Sequence, residues 1–197
     1  MKEFQRICVY CGSSNGARAS YVEQARALGQ MLARRGIGLI YGGGGIGLMG
    51  ACAEAVLDNG GEVIGVIPHS LASKERLNVM VTDLRVVNTM HERKALMVGL
   101  ADAFIALPGG FGTFDELFET ITWAQLGIHQ KPIGVLNVAG YFDPFLALVE
   151  RAVSEGFVLE KYQRLISVAE NAEPLLAQMQ QHEPLEGLVK WLELRET

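Results

Sequence analysis

The feature that most constrains the fold of this chain is a glycine-rich segment between an apolar run and a helical pattern. Residues 103–107 are apolar and uncharged, which is typical of a strand buried on both faces. Residues 108–113 follow with the sequence PGGFGT, and the pattern predicts a helix over 117–126. This order leaves free backbone N–H groups at the carboxyl end of a sheet, where the helix dipole is positive. The sequence therefore predicts a site for phosphate or carboxylate.

Two polar residues near the glycines add chemistry to this site. Thr113 adds a hydroxyl group to the predicted anion site. Glu116 lies about one turn into the helix, where a carboxylate would repel a phosphate, and one interpretation makes it a chemical group. The other interpretation is a capping carboxylate that the helix dipole stabilises. This stretch alone favours neither of the two.

Short apolar runs alternate with amphipathic stretches along the chain. Strands are predicted at 6–10, 38–41, 62–67, 84–87, 103–107, 131–136 and 165–168. Helices are predicted at 20–35, 48–57, 90–100, 117–126, 143–154, from 173 onwards and at 184–194, and 68–78 reads as an irregular or partly helical loop. Ser20 and Glu23 have capping-box spacing. The alternation predicts one Rossmann-like α/β domain over 1–197, a doubly wound parallel sheet with helices on both faces.

Three polar or glycine-rich loops follow predicted strands, at 11–15, 42–47 and 108–113. The carboxyl ends of parallel strands lie at one edge of the sheet, and ligands bind there in folds of this class. We expect the loops to converge on a pocket of nucleotide size. Supporting positions in the first two loops are Gly12, Ser13, Gly43 and Gly44.

The glycine run at 42–47 also matches the G-x-G-x-x-G spacing of dinucleotide sites. Its context differs, because it follows the second strand and because Ile67, about twenty residues on, is not acidic. No glycine loop continues into the Gly-Lys-Ser/Thr of a P-loop. A mononucleotide or a phosphorylated sugar therefore fits these loops better than a dinucleotide.

Two adjacent cations, Arg93 and Lys94, begin the helix before the central strand. Positive charge in the first turn of a helix opposes the helix dipole, so an anionic ligand or a carboxylate such as Glu116 is expected nearby. The alternative is a solvated surface pair. His91 lies in the same stretch, and we interpret it as a solvated residue at the helix start.

Composition and charge disfavour several classes of function. The net charge of -5 gives no basic surface for nucleic acid. No apolar run approaches the ~18 residues that span a membrane, and residues 1–6 lead into a strand without a signal segment. Cys8 and Cys11 have redox spacing, but Cys8 lies within a strand, so we interpret both as structural. Three cysteines suit a reducing compartment, and we expect a cytoplasmic protein.

The motif at 108–116, PGGFGTFDE, with Arg93-Lys94 upstream, resembles the LONELY GUY family, whose hallmark is P-G-G-x-G-T-x-x-E after M-x-x-R-K. The similarity extends from 11–14 through 41–44 and 47–50 to 122–129. It implies cytokinin riboside 5'-monophosphate phosphoribohydrolase activity, a homodimer with sites near the subunit interface, and neither cofactor nor metal. It also implies that Arg93 and Glu116 are catalytic. The implied nucleotide contacts are Glu75, Arg93, Lys94, Gly109, Gly110, Phe111, Gly112, Thr113, Phe114, Asp115, Glu116 and Thr122.

The chemistry that the resemblance implies agrees with the residues. Cleavage of an N-glycosidic bond develops positive charge on the ribose, and a carboxylate beneath the sugar stabilises that charge and activates water. Glu116 suits this role, with the phosphate held by the amides at 109–113. Arg93 is always charged and is a poor proton donor, so we predict that it fixes the substrate and keeps Glu116 ionised. The proton donor to the base and the base specificity stay open.

The sequence leaves one alternative function open and disfavours another. One is non-catalytic binding of a nucleotide or phosphosugar by the same loops. The other is lysine decarboxylation, a label that members of this family have carried. A pyridoxal phosphate enzyme needs a Schiff-base lysine beside its phosphate site. Lys94 is the only lysine near the motifs, and it adjoins an arginine where an anion is expected, so this function is disfavoured.

Overall fold

Seven parallel strands form one sheet in a computed structural model that describes residues 2–72 and 81–185. The strands are β1 (Arg6–Tyr10), β2 (Gly38–Tyr41), β3 (Val63–Pro68), β4 (Asp83–Val87), β5 (Ala103–Ala106), β6 (Ile133–Leu136) and β7 (Ile166–Ala169). The helices are α1 (Ala19–Arg34), α2 (Gly47–Asp58), α3 (His69–Ala72), α4 (Met90–Leu100), α5 (Phe111–Gln125), α6 (Asp143–Ser154) and α7 (Ala172–Gln180). Two 3₁₀ segments lie at Val138–Gly140 and Glu160–Leu165.

The strand order β4-β3-β2-β1-β5-β6-β7 places a reversal of chain direction across the sheet between β1 and β5. The loops that leave these two strands therefore diverge and open a crevice at their carboxyl ends. Tyr10 pairs with Ala106, so β1 and β5 end side by side. This confirms the predicted Rossmann-like sheet and places the glycine-rich segment at the crevice.

Helices cover both faces of the sheet, as predicted. Successive side chains of β1 alternate between two cores, since side chains in a strand point to opposite faces. Ile7 and Val9 pack in the core formed with α1, α2 and α7. Cys8 and Tyr10 pack in the core formed with α4 and α5. The fully apolar β5 is buried between the two.

Several predicted helix ends differ from those observed. α5 begins at Phe111, six residues before the predicted start. α1 begins at Ala19 after Arg18, and no side chain caps it, so the capping-box prediction for Ser20 is wrong. Local spacing favoured that cap, but the preceding loop places a different residue at the helix entry. Pro68 is the last residue of β3 rather than a residue beyond it.

The predicted bounds of α4, 90–100, are confirmed. Thr89 caps α4, because its side-chain oxygen accepts a hydrogen bond of 3.1 Å from the Glu92 amide. Gly36 ends α1 with a positive φ of 67°, a conformation that glycine adopts without strain. Residues 73–78 and most of the predicted helix at 184–194 lie outside the described residues. A single domain over 1–197 therefore stays a prediction.

Candidate active site

A cleft of about 330 Å³ opens at the carboxyl ends of β1, β2 and β5. Residues from all three predicted loops line it, so the expected convergence of the loops is confirmed. Its lining residues are Val9, Cys11, Gly12, Ser13, Gly42, Met49, Leu71, Met90, Arg93, Gly110, Phe111, Gly112, Thr113 and Glu116.

The amino end of α5 forms one wall of the cleft. Because α5 begins at Phe111, the amides of residues 111–113 belong to its first turn, and no hydrogen bond of the described residues uses them. The Phe114 amide is the first that bonds within the helix, to the Gly110 carbonyl at 3.0 Å. Free amides and the positive end of the helix dipole make this wall suited to an anion.

The glycines of this segment have different structural surroundings. A Cβ on Gly109 would lie 2.1 Å from Thr113 Oγ1 and 2.8 Å from the Gly12 amide nitrogen, so this position requires close backbone packing. A Cβ on Gly110 or Gly112 would meet nothing within 4 Å. These two positions border open space in the cleft, where a missing side chain leaves room for a ligand.

Glu116 places its carboxylate in the same cleft. The residue lies in the second turn of α5 and is 9% exposed, whereas the residue before the helix is Gly110. The interpretation of Glu116 as a helix cap is therefore wrong. Burial raises the pKa of Glu116 to about 7, although the charge of Arg93 opposes this rise. A carboxyl group with a pKa near neutrality can exchange protons at physiological pH.

Arg93 faces Glu116 across the cleft. Its Nη2 lies 3.4 Å from Glu116 Oε1, and both side chains are 10% exposed. Its Nε donates a hydrogen bond of 3.0 Å to the carbonyl oxygen of Val66 in β3. A Cβ on Gly42 would lie 2.2 Å from Arg93 Nη2, so the glycine after β2 provides the space for the guanidinium.

Lys94 turns its charge away from the cleft. Its Nζ lies 3.2 Å from Asp115 Oδ2 and 3.0 Å from Glu119 Oε1, and the side chain is largely buried. Carboxylates of α5 thus compensate both cations of α4. The solvated surface pair considered for Arg93 and Lys94 is wrong. His91 is exposed, in agreement with its interpretation as a solvated residue.

The cysteines are buried free thiols. Burial raises the pKa of Cys8 and of Cys11 well above the usual value, and it raises the pKa of Cys52 to about 12. Cys11 lines the cleft but stays a neutral thiol. The structural interpretation of Cys8 and Cys11 agrees with this burial.

Comparison with known proteins identifies the family of the chain. A family model described as "Possible lysine decarboxylase" matches residues 49–179. The cytokinin riboside 5'-monophosphate phosphoribohydrolase LOG of Oryza sativa subsp. japonica is 56% identical over 181 residues, 92% of this chain and 75% of that protein. A protein of Arabidopsis thaliana with the same activity in its name is 51% identical over 92% of this chain and 83% of its own length. The chain belongs to the LONELY GUY family.

Solved structures similar to this member of the LONELY GUY family extend the likeness of fold to more distant proteins. The molybdenum cofactor carrier protein of Chlamydomonas reinhardtii has a TM-score of 0.68 at 20% identity, over 91% of this chain and 98% of that one. The molybdenum cofactor binding protein of Rippkaea orientalis has a TM-score of 0.69 at 22% identity, over 92% and 98%. At these identities the likeness shows the fold alone.

The cleft contains only some of the residues that the LONELY GUY resemblance implies. Arg93, Gly110, Phe111, Gly112, Thr113 and Glu116 line it, as do the supporting positions Gly12 and Ser13. Other implied residues lie elsewhere, and Glu75 lies outside the described residues. The described positions that do not line the cleft are Gly43, Gly44, Lys94, Gly109, Phe114, Asp115 and Thr122.

These other positions support the site or face outward. Gly43 has a positive φ of 81° and Gly44 is buried, so both shape the turn after β2. Phe114 packs in the core beneath α5. Thr122 is exposed, and its hydroxyl donates a hydrogen bond of 2.7 Å to the Phe118 carbonyl of its own helix.

Sequence reasoning missed several residues of the cleft. Gly42 begins the glycine run, but its closeness to Arg93 is a tertiary contact. Leu71 belongs to no motif, whereas Met49 and Met90 lie in segments that resemble the family without a role assigned to them. These three apolar side chains give the cleft an apolar wall.

The described residues, 2–72 and 81–185, have neither a membrane-spanning helix nor a metal-binding cluster. No helix in these ranges is long and apolar enough to cross a bilayer. The same ranges contain no group of three or more His, Cys, Asp or Glu side chains that could hold a metal ion.

Proposed function

We propose that the protein hydrolyses the N-glycosidic bond of adenosine 5'-monophosphate or its N6-modified forms, releasing the base and ribose 5-phosphate. One observation carries the proposal: the free amides of α5 and the buried carboxylate of Glu116 face the same cleft. The family relatives are named for this reaction on cytokinin riboside monophosphates.

The phosphate binds at the amino end of α5. The amides of residues 111–113 lie in the first turn, have no acceptor within the helix and are free to donate to phosphate oxygens. Thr113 is 3% exposed and lines the cleft, so its hydroxyl is held beside these amides. This anchor positions the ribose near the next turn of the helix, where Glu116 lies.

Glu116 stabilises the positive charge that develops on C1' and O4' as the bond to the base breaks. It also takes a proton from the water that attacks C1', and the departing base gains a proton. A pKa of about 7 suits a general base at neutral pH. Arg93 lowers this pKa without overcoming burial, so ionisation of Glu116 at pH 7 is partial, less than the sequence predicts.

The apolar wall of the cleft supports substrates with an apolar substituent on the base. Met49, Leu71 and Met90 line the same cleft as residues 110–113. An N6-prenyl group against these side chains would bury apolar surface, which contributes about 25 cal/mol per Å² removed from water. This contact involves the N6 substituent and does not select between different bases.

Lysine decarboxylation, the activity in the description of the family model, is not supported. Lys94 binds two carboxylates of α5 and does not line the cleft. A Schiff-base lysine must instead reach the reacting group of its cofactor.

We also propose a homodimer. α5 and the turn after it expose apolar side chains of Phe118, Leu126 and Ile128, the last 60% exposed. Thr122 lies on the exposed side of α5, outside the cleft of its own chain. A second copy packed here would cover these apolar groups and bring Thr122 toward the partner's site. Light scattering should then give twice the chain mass of 21.4 kDa.

A cytoplasmic location is part of the same proposal. The three cysteines are free and buried, with no disulfide among the described residues. Free thiols persist in a reducing compartment. Fractionation of the source cells would test the location.

The test of the activity is a substrate panel. Purified protein is incubated near pH 7 with adenosine 5'-monophosphate and with its N6-prenylated form, and the free base is measured by chromatography. We expect release of base from both, faster for the prenylated form. Binding of either nucleotide in a calorimeter without release of base would contradict hydrolysis and favour a non-catalytic binding protein.

A further inference from the structure

A tyrosine from a fourth loop contacts the phosphate-binding segment. Tyr141 follows the 3₁₀ segment after β6, and its hydroxyl donates a hydrogen bond to the carbonyl oxygen of Gly109. It lies outside the cleft and outside the family hallmark. It lines a second cavity of about 330 Å³, which adjoins the cleft through Gly12, Ser13 and Gly110.

The geometry of the peptide group links this bond to the cleft. The Gly109–Gly110 peptide is trans, so its carbonyl and its N–H point in opposite directions. The carbonyl points at Tyr141 on the side of the second cavity. The N–H of Gly110 therefore points away from the Tyr141 hydroxyl, and Gly110 lines the cleft as well as the second cavity.

A peptide between two glycines needs such a constraint. Glycine has access to more backbone conformations than other residues, so this peptide could rotate at low cost. The preceding residue is fixed, since the Gly12 amide donates a hydrogen bond of 3.0 Å to the Pro108 carbonyl. Among the described residues, Tyr141 provides the hydrogen bond to the Gly109 carbonyl.

Tyr141 is itself held firmly. Its ring packs edge-on against Tyr21 and Phe142, with centroids 5.8 and 5.1 Å apart. Its amide donates a hydrogen bond of 3.1 Å to the Val138 carbonyl. The turn between them contains Ala139 at φ 53°, a left-handed conformation that costs free energy in a non-glycine residue and persists where its surroundings enforce it.

The Asn137 side chain fixes the two ends of this turn. Its Nδ2 donates a hydrogen bond of 2.7 Å to Asp143 Oδ1, and its Oδ1 accepts one of 2.7 Å from the Phe142 amide. The loop after β6 is therefore a rigid support, and the hydroxyl at its end has a defined position.

We propose that Tyr141 is a positioning residue, which orients the Gly109–Gly110 peptide so that the Gly110 N–H joins the amides of α5 around the phosphate. The identity of the ligand rests on the proposed function, whereas the orientation of the peptide does not. Tyr141 acts through the backbone and does not touch the reacting atoms.

The test is Tyr141→Phe, which keeps the ring and removes the hydroxyl. Calorimetry with ribose 5-phosphate should show a Kd raised roughly ten-fold, the effect of about one lost hydrogen bond to a charged group. In turnover, KM for the nucleotide should rise by a similar factor with kcat nearly unchanged, because the phosphate is bound equally in the ground and transition states. Tyr21→Phe, in the same cavity, is the matched control and should leave both values unchanged.

The outcomes separate this proposal from the proposed activity. Wild-type protein that binds ribose 5-phosphate but releases no base would contradict the activity, and the calorimetric comparison would still test Tyr141. An unchanged Kd in Tyr141→Phe would overturn the positioning role. A loss in kcat as large as the loss in binding would also overturn it, because general loosening of α5 would displace Glu116 as well. If Tyr141→Phe unfolds at assay temperature, proton exchange of the Gly110 amide in wild-type protein replaces it, and absence of protection by ribose 5-phosphate overturns the proposal.

Discussion

At the scale of single residues, the chemistry of the cleft depends on a carboxyl group under two opposed influences. Burial raises the pKa of Glu116 to about 7, and the guanidinium of Arg93 at 3.4 Å lowers it. Burial is the stronger influence, so the group is divided between its acid and base forms near neutrality. Arg93 stays in this position because Gly42 leaves room for it and Val66 accepts its Nε–H.

Glu116→Gln should lower kcat by roughly 10² or more, because the amide cannot accept the proton of water or offset the charge on the ribose. Substrate binding should change much less. The control is Glu119→Gln, which changes a carboxylate of the same helix that pairs with Lys94 outside the cleft. Chromatographic rates give kcat for both variants. Full activity in Glu116→Gln would refute the role given to this carboxylate.

The activity should fall on acidification. The base form of Glu116 exists above its pKa, so kcat/KM should decline as pH falls through about 7. Arg93→Met removes the charge that lowers this pKa, and the decline should begin at a higher pH. Both proteins use the same substrate, so ionisation of its phosphate cancels in the comparison. Identical profiles for the two proteins would rule out electrostatic coupling between Arg93 and Glu116.

The same pKa shift predicts a dependence of stability on pH. The folded protein holds the Glu116 proton more tightly than the unfolded chain, whose carboxyl has a pKa near 4.5. Stability from this group is therefore present below about pH 4.5 and is lost as pH rises through about 7. The Glu116→Gln variant lacks this loss. Its free energy of unfolding, measured with denaturant, should therefore rise relative to that of the wild type by up to roughly 3 kcal/mol by about pH 8. A constant difference across that range would contradict the raised pKa.

At the scale of the element, the anion site at α5 could be predicted from the sequence, whereas the residue at which the helix begins could not. Glycine is a poor helix former, so the local pattern over 111–116 favours a later start. The helix nevertheless begins at Phe111, and its Thr113 packs closely against Gly109, a contact that the absence of a Cβ allows. The earlier start matters for function, since it places the free amides one turn before Glu116.

The glycines before α5 provide a matched pair of variants. Gly109→Ala should lower the melting temperature, because its Cβ would clash with Thr113 and with the Gly12 backbone. Gly110→Ala should leave the melting temperature close to that of the wild type, since its Cβ meets nothing within 4 Å. It should instead raise KM by narrowing the cleft. Calorimetric unfolding and steady-state kinetics measure both, and a reversed pattern would contradict the assignment of the two glycines.

The parts of the site that the sequence predicted are those that depend on local order along the chain. The anion site at α5 and the proximity of Arg93 to Glu116 follow from motifs placed at strand ends. The missed features are tertiary contacts. Gly42 leaves room for the guanidinium of Arg93 from α4. Tyr141 donates a hydrogen bond to the carbonyl of Gly109, more than thirty residues away. No spacing in the sequence encodes these approaches.

At the scale of the whole molecule, the reversal of chain direction between β1 and β5 determines where the cleft lies. The alternation of strands and helices along the sequence was enough to predict a cleft at the carboxyl ends of the strands. The position of the cleft does not explain the exposed face of α5. α5 has Glu116 on its buried side and Phe118 and Thr122 on its outer side. The proposed homodimer would pack a second copy against this outer side. The resemblance implied a nucleotide contact for Thr122, and a homodimer reconciles that contact with its exposed position.

The last prediction tests whether Thr122 acts in the partner's cleft. Thr122→Ala and Glu116→Gln should each lower activity when every subunit carries the change. A hybrid with one subunit of each kind should recover close to half of the wild-type activity. One of its clefts combines an intact Glu116 with an intact Thr122 from the other subunit, while the other cleft lacks both. Co-expression with two affinity tags isolates the hybrid, and release of base measures it. A hybrid no more active than the average of the two single variants would place Thr122 in its own chain's site or in none.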